Sequence, residues 1–158
     1  MGYNTDFIGS FDIDKPLDKE TQKILKGLNQ TRHIKRDTIK LAKRLEITTN
    51  ECIEKYGEEG EYYFTHDKKY DDTAHYDIID YNNPPSSQPG LWCKWYYNED
   101  ENIIEWDGCE KFYEYIDWIK YIIENILEPR DYKLNGCVSW RGEEFDDIGK
   151  ILIKNNEV

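Results

Sequence analysis

Apolar and polar residues alternate between Leu91 and Tyr97: Leu91, Cys93, Trp95 and Tyr97 take one parity, Trp92, Lys94 and Tyr96 the other. Period two is the pattern of a β-strand with unlike faces. NEDEN follows as a polar turn and IIEWDG as the returning strand, so residues 91–107 predict a hairpin. The more apolar set assigns Trp95 inward and Trp92 outward. A second hairpin is predicted from YKLNGCVSW and IGKILIKN, on either side of the acidic loop RGEEFDD. Near the start, FIGSFDI puts Phe7, Gly9, Phe11 and Ile13 on one face of a first strand.

Helical spacing is clearest over residues 109–127. There Phe112, Tyr115, Ile116, Ile119, Ile122, Ile123 and Ile126 oppose Glu110, Glu114, Asp117 and Glu124, and Pro129 stops the run. The stretch from DKPLDKE to KRLEI reads as helix in two pieces, with Asp18 as N-cap and Gly27 weakening the middle. Ile34, Ile39, Leu41 and Leu45 form a less regular second stripe.

Residues 50–90 read as an irregular insertion: a short strand at 62–64, an exposed loop THDKKYDDTAHYD, and the turn-forming linker DYNNPPSSQPG. Grouped strands and helices favour an α+β fold in one domain, residues 1–158. The expected architecture is an antiparallel sheet of two C-terminal-half hairpins plus the N-terminal strand, with helices packed on one face.

Charge narrows the partners. The net charge is −12, which disfavours tight non-specific nucleic-acid binding, since phosphates need Lys and Arg. Residues 19–44 are nonetheless +7, leaving −19 on the rest. That basic segment is read as a solvated helix face, as a strap docked on the acidic body, or as a contact for an acidic partner. No apolar run reaches the ~20 residues of a membrane span and no signal pattern is read, so a soluble, cytoplasmic protein is expected. Cys52, Cys93, Cys109 and Cys137 lack metal-pair spacing and read as free thiols.

Candidate chemistry concentrates in aromatics and acids. Five tryptophans and thirteen tyrosines suit a surface that must be apolar yet hydrogen-bonding, although at least three of the indoles are expected to fill the core. Glu105 and Asp107 flank Trp106 on one strand face and could divide acid and base roles, but no nucleophile or histidine motif stands with them. Glu143, Glu144, Asp146 and Asp147 lack the spacing of a calcium loop, and His66 and His75 among Asp67, Asp71 and Asp72 are weak metal evidence. The candidate ligand or partner site is Trp92, Glu105, Trp106, Asp107, Glu110, Trp140 and Glu143, with no metal and no cofactor assigned.

DYNNPPSSQPGLWCKW, IEWDGCEKFYEYIDWIKYIIENIL and YKLNGCVSWRGEEFDDIGKILIKNNEV resemble an uncharacterised family of small proteins from bacteria, phages and large DNA viruses. MGYNTDFIGSF and TRHIKRD are similar as well, and the resemblance thins between residues 45 and 78. It brings no catalytic residue with it. Richness in Lys, Asn, Ile and Tyr suits an AT-rich genome such as a large virus, which would place the protein in host cytoplasm.

The expected function is a non-enzymatic accessory or interaction module that binds a protein or small ligand through an aromatic surface. The competing expectation is a pocket protein or enzyme acting on a nucleotide or sugar by tryptophan stacking, with Glu105, Asp107, Glu110 or Glu143 as acids.

Overall fold

The computed structural model describes residues 2–64 and 75–158. The fold is α+β, and the chain divides into two compact units, residues 1–29 with 93–158 and residues 30–92.

In the first unit, β1 (Thr5–Ile13) is followed by α1 (Lys19–Gln30), whose last residue already falls in the second unit. After the second unit come the hairpin β4 (Trp95–Asn98) and β5 (Ile103–Trp106), then α4 (Tyr115–Ile122), then the hairpin β6 (Leu134–Gly142) and β7 (Ile148–Ile153). The sheet is antiparallel in the order β4-β5-β1-β6-β7, so the N-terminal strand joins the two hairpins. Phe11 stands opposite Ile104 on one side and Gly136 on the other.

Alternation decides which face is core. Phe7, Phe11 and Ile13 of β1, Trp95 and Tyr97 of β4, Ile104 of β5, Val138 of β6 and Ile151 and Ile153 of β7 are all buried. The helices close over this face. Trp95 Nε1 donates to the Tyr115 carbonyl at 2.9 Å, fixing the start of α4. Asp18 caps α1 by accepting from the Thr21 amide at 2.8 Å, and the Tyr132 hydroxyl donates to the same carboxylate at 2.9 Å. Asn29, near the end of α1, donates to the Cys93 carbonyl and to Asp107.

The helix expected over 109–127 is shorter. Lys111 and Glu114 adopt positive φ, so 107–114 is a folded loop and α4 starts at Tyr115. Phe112 is buried all the same, reaching the core from that loop. Beyond Ile122 the coil widens to a π turn over Ile123–Leu127, and Pro129 sits inside a closing 3-10 turn, Glu128–Arg130. Ile116 is only half-buried, whereas Trp118, Ile119, Ile122 and Ile123 are buried. β4 is also shorter than the expected 91–97 strand, but Cys93, Trp95 and Tyr97 keep the inward parity.

In the second unit, β2 (Lys35–Arg36) pairs with β3 (Ile78–Asp80) and leads directly into α2 (Thr38–Arg44), which is followed by α3 (Thr49–Tyr56). The second helical piece therefore breaks at Arg36, and Ile39 of its stripe is exposed. Asp37 caps α2 and Thr48 caps α3. Leu41, Ala42 and Cys52 make a small core with Leu45, Ile47, Tyr56 and Tyr63 around it. No strand forms at 62–64; Glu61 and Tyr62 form a turn after the 3-10 helix Glu58–Gly60. The expected loop residues His66, Asp67, Asp71 and Asp72 lie outside the described residues.

The basic segment is largely engaged with its own chain. Arg36 and Arg44 pair with Asp77, Lys35 with Glu59 and Lys26 with Glu99. Lys19, Lys23, Lys40 and Lys43 are exposed.

Candidate functional site

Antiparallel pairing brings the start of β1, the start of β4, the end of β5 and the end of β6 to one end of the large sheet. Each contributes an aromatic there. Phe7 is opposite Trp140, and Trp95 is opposite Trp106. The Phe7 ring lies 5.4 Å from Trp106 and 5.0 Å from Tyr115, and Tyr115 lies 5.8 Å from Trp140, all tilted or edge-on. Phe112 packs beneath, 5.7 Å from Phe7 and 5.3 Å from Trp95. Tilted and edge contacts at these separations are favoured by the ring quadrupoles. The lower layer of Phe7, Trp95 and Phe112 is buried, while Trp106, Tyr115 and Trp140 are half-buried and Tyr113 is exposed.

The upper layer is held by polar contacts. Trp140 Nε1 donates to Asp147 Oδ1 at 3.2 Å, and the Tyr3 hydroxyl donates to Asp147 Oδ2 at 2.6 Å. The Tyr3 oxygen in turn accepts from the Glu144 amide, and the Asn4 amide donates to Glu143 Oε1 at 2.8 Å. The Tyr3 amide donates to the Tyr113 hydroxyl at 3.2 Å. The segment before β1 is thus latched onto the turn between β6 and β7. Two glycines make room for this: a Cβ on Gly149 would overlap the Trp140 ring, and one on Gly142 would overlap Asp147 and the Tyr3 hydroxyl.

Electrostatics follow from the same contacts. The hydrogen bond to Asp147 raises the Tyr3 phenol above its ordinary value. Burial raises Tyr115, with the negative charge of Asp147 adding to it. Both remain neutral hydroxyls at physiological pH. Burial pushes the Cys93 thiol far up, so it is a packing group and no nucleophile.

The residues expected from sequence separate here. Trp106, Trp140 and Glu143 converge at the aromatic end, Trp106 tied by its Nε1 to the Cys109 carbonyl at 3.0 Å. Asp107 lies just past β5 and serves the loop: Oδ1 accepts from the Cys109 amide at 2.8 Å and Oδ2 from Asn29 at 2.9 Å. Glu105, two residues earlier, accepts instead from Asn98 at 3.2 Å, so the two carboxylates are held by different partners. Glu110 is exposed, and its backbone carbonyl accepts from Lys94. Trp92 is half-buried and is the last residue of the second unit.

Tyr3, Tyr115 and Asp147 were missed as site residues, as was Phe145, which is 94% exposed at the tip of the acidic turn. An apolar ring inside GEEFDD was the available signal. Among the described residues no group of three or more His, Cys, Asp and Glu could hold a metal ion. A cleft elsewhere, lined by Lys120, Ile123, Glu124, Glu128, Asn156 and Val158, has about 190 Å³, below the ~300–1,000 Å³ of typical small-molecule sites. No helix among the described residues is long and apolar enough to cross a membrane. No family model, no curated protein and no solved structure matches the chain.

Proposed function

We propose that this chain is a non-enzymatic interaction module that receives a positively charged segment of a partner protein on its aromatic end. The observation that carries the reading is Phe145, a fully presented ring between Glu144 and Asp146, in the same turn as Asp147, which holds the half-exposed Trp140 in place. Exposed aromatics supply apolar contact area at small entropic loss and attract cations through the ring face. The carboxylates around them, with the net charge of −12, steer Lys- and Arg-rich segments toward that face. Asp107 and Glu105 accept hydrogen bonds from their own neighbours, a holding role that favours binding over acid–base chemistry.

The test is a fluorescence titration with synthetic peptides that carry Lys and Arg around one aromatic residue, against the same peptides with the bases replaced by Glu. The reading expects binding of the basic series only, weakened by salt. Phe145→Ala should then weaken it by about 2 kcal/mol if the ring is a hot spot. Equal response to both series would remove the proposal.

A further inference from the structure

The opposite face of the large sheet carries a pattern that the aromatic end does not explain. Antiparallel sheets often leave one face in water, but such a face is normally polar. Here Ile8 of β1 is 79% exposed, and Leu152 and Ile148 of β7 are 64% and 62% exposed. Ser10, Cys137 and Leu152 stand in one cross-strand row, and Ile8, Ser139 and Lys150 in the next.

The charges on this face are sorted by strand. Asp6 and Asp12 of β1 lie on one side, with Glu105 of β5 beyond them by alternation. Arg141 of β6 and Lys150 of β7 lie on the other. A two-fold axis lying between the two stacked sheets, parallel to the strands and over the gap between β1 and β6, would lay the acidic half of one copy on the basic half of a second. It would also bring the apolar Ile8 of each copy toward the centre. We infer that this face is the isologous interface of a homodimer, because its charge pattern is complementary to itself under that rotation. The five strands span on the order of 500 Å² in plan, comparable with the roughly 800 Å² of accessible surface per partner in a standard interface.

The axis makes a sharper claim. Cys137 is exposed and lies on β6 next to it, so the two copies of Cys137 come close, whereas the exposed Cys109 belongs to the loop after β5. Mild oxidation of the pair would form one S–S bond, with diamide taking up the two electrons and two protons and becoming the hydrazine.

The experiment is sedimentation velocity across a concentration series, with circular dichroism to establish folding. The expected result is a monomer–dimer equilibrium whose dissociation constant rises about tenfold or more in Ile8→Glu and, independently, in Leu152→Glu. Because both side chains are exposed, the variants should keep the wild-type spectrum. Diamide should crosslink wild type and Cys109→Ser but not Cys137→Ser. A chain that is monomeric at every concentration, or a dimer indifferent to both substitutions, would overturn the inference. Peptide binding at Phe145 is independent of that outcome.

Discussion

Arg36 donates to Asp77 at 2.8 Å with its side chain 2% exposed and that of Asp77 0% exposed. Arg44 reaches the other carboxylate oxygen at 2.5 Å, and both guanidinium groups lie over the Tyr63 ring, at 4.7 and 5.4 Å. Two cations on one buried anion, with an aromatic face beneath them, form a closed network that joins β2, α2 and the residue before β3.

Removing the anion leaves Arg36 buried and unpaired by Asp77. Asp77→Asn should destabilise by about 3–5 kcal/mol, the usual effect of breaking a buried pair from one side. Acid should do the same to wild type. Burial alone would raise the Asp77 carboxyl, but hydrogen bonds from Arg44 and Arg36 outweigh it and hold the carboxyl below its ordinary value. A depressed folded value means the stability is present above the ordinary carboxylate range and is lost as pH falls through the folded one. Urea unfolding across acidic pH should therefore show a steeper decline in wild type than in Asp77→Asn, in which Asp18 and Asp80 remain depressed. Parallel curves would refute it.

The helix α4 gives a graded test of packing. Ile119 is fully buried and Ile116 half-buried, although sequence spacing put both on the core face. Ile119→Ala should cost about 2–5 kcal/mol, and Ile116→Ala clearly less, because the lost burial and residual cavity are smaller. Chemical denaturation of the two variants checks the order, and a reversed order would mean that the helix is rotated.

The Tyr3 latch should be sensitive to base. Its phenol is raised by the hydrogen bond to Asp147, so the latch is intact below the ordinary tyrosine value and is lost as pH rises through the folded one. Tyr3→Phe removes the donor while keeping the ring. We expect faster amide exchange at Asn4 and Glu144 in that variant with the core unchanged, read by hydrogen exchange. Unaltered exchange at both amides would deny the latch.

What the sequence made legible is the large sheet. Phe7, Phe11 and Ile13, the 95–98 and 103–106 hairpin and the 134–153 hairpin follow from period-two patterning, because a strand buried on one face must alternate. The start of α4 was hidden, since Phe112 has helical spacing but reaches the core from a loop built on positive φ. α3 was hidden for a different reason: it buries only Cys52 and gives almost no apolar period. The ion network was hidden too, because Arg36 and Asp77 are 41 residues apart and nothing local marks either as buried.

The site was half legible. Trp106, Trp140 and Glu143 were visible as residue types, but their convergence depends on strand order, and Tyr3 and Asp147 join only because the chain ends of β1 and β6 meet. Glu105 and Asp107 were expected on one face. The Asp107 amide still donates to the Lys94 carbonyl in line with the hairpin, while the Asp107 carboxylate is taken up by the Cys109 amide and Asn29 and that of Glu105 by Asn98.

Trp95 and Trp92 differ in burial. Trp95 is buried, packed edge-on against Phe11 and Phe112, with its Nε1 bonded to the Tyr115 carbonyl. Trp95→Ala should therefore destabilise by about 3–5 kcal/mol, as for other buried aromatics, with the freed carbonyl adding to the cavity. Trp92 is half-buried and lies outside the strand, so part of its ring is already in water. Trp92→Ala should lose less, because less apolar area returns to solvent. Thermal and urea unfolding of the two variants, with peptide titration alongside, separates the roles. If Trp92→Ala unfolds the chain as severely as Trp95→Ala, the residue is a structural wedge and has no claim to a partner.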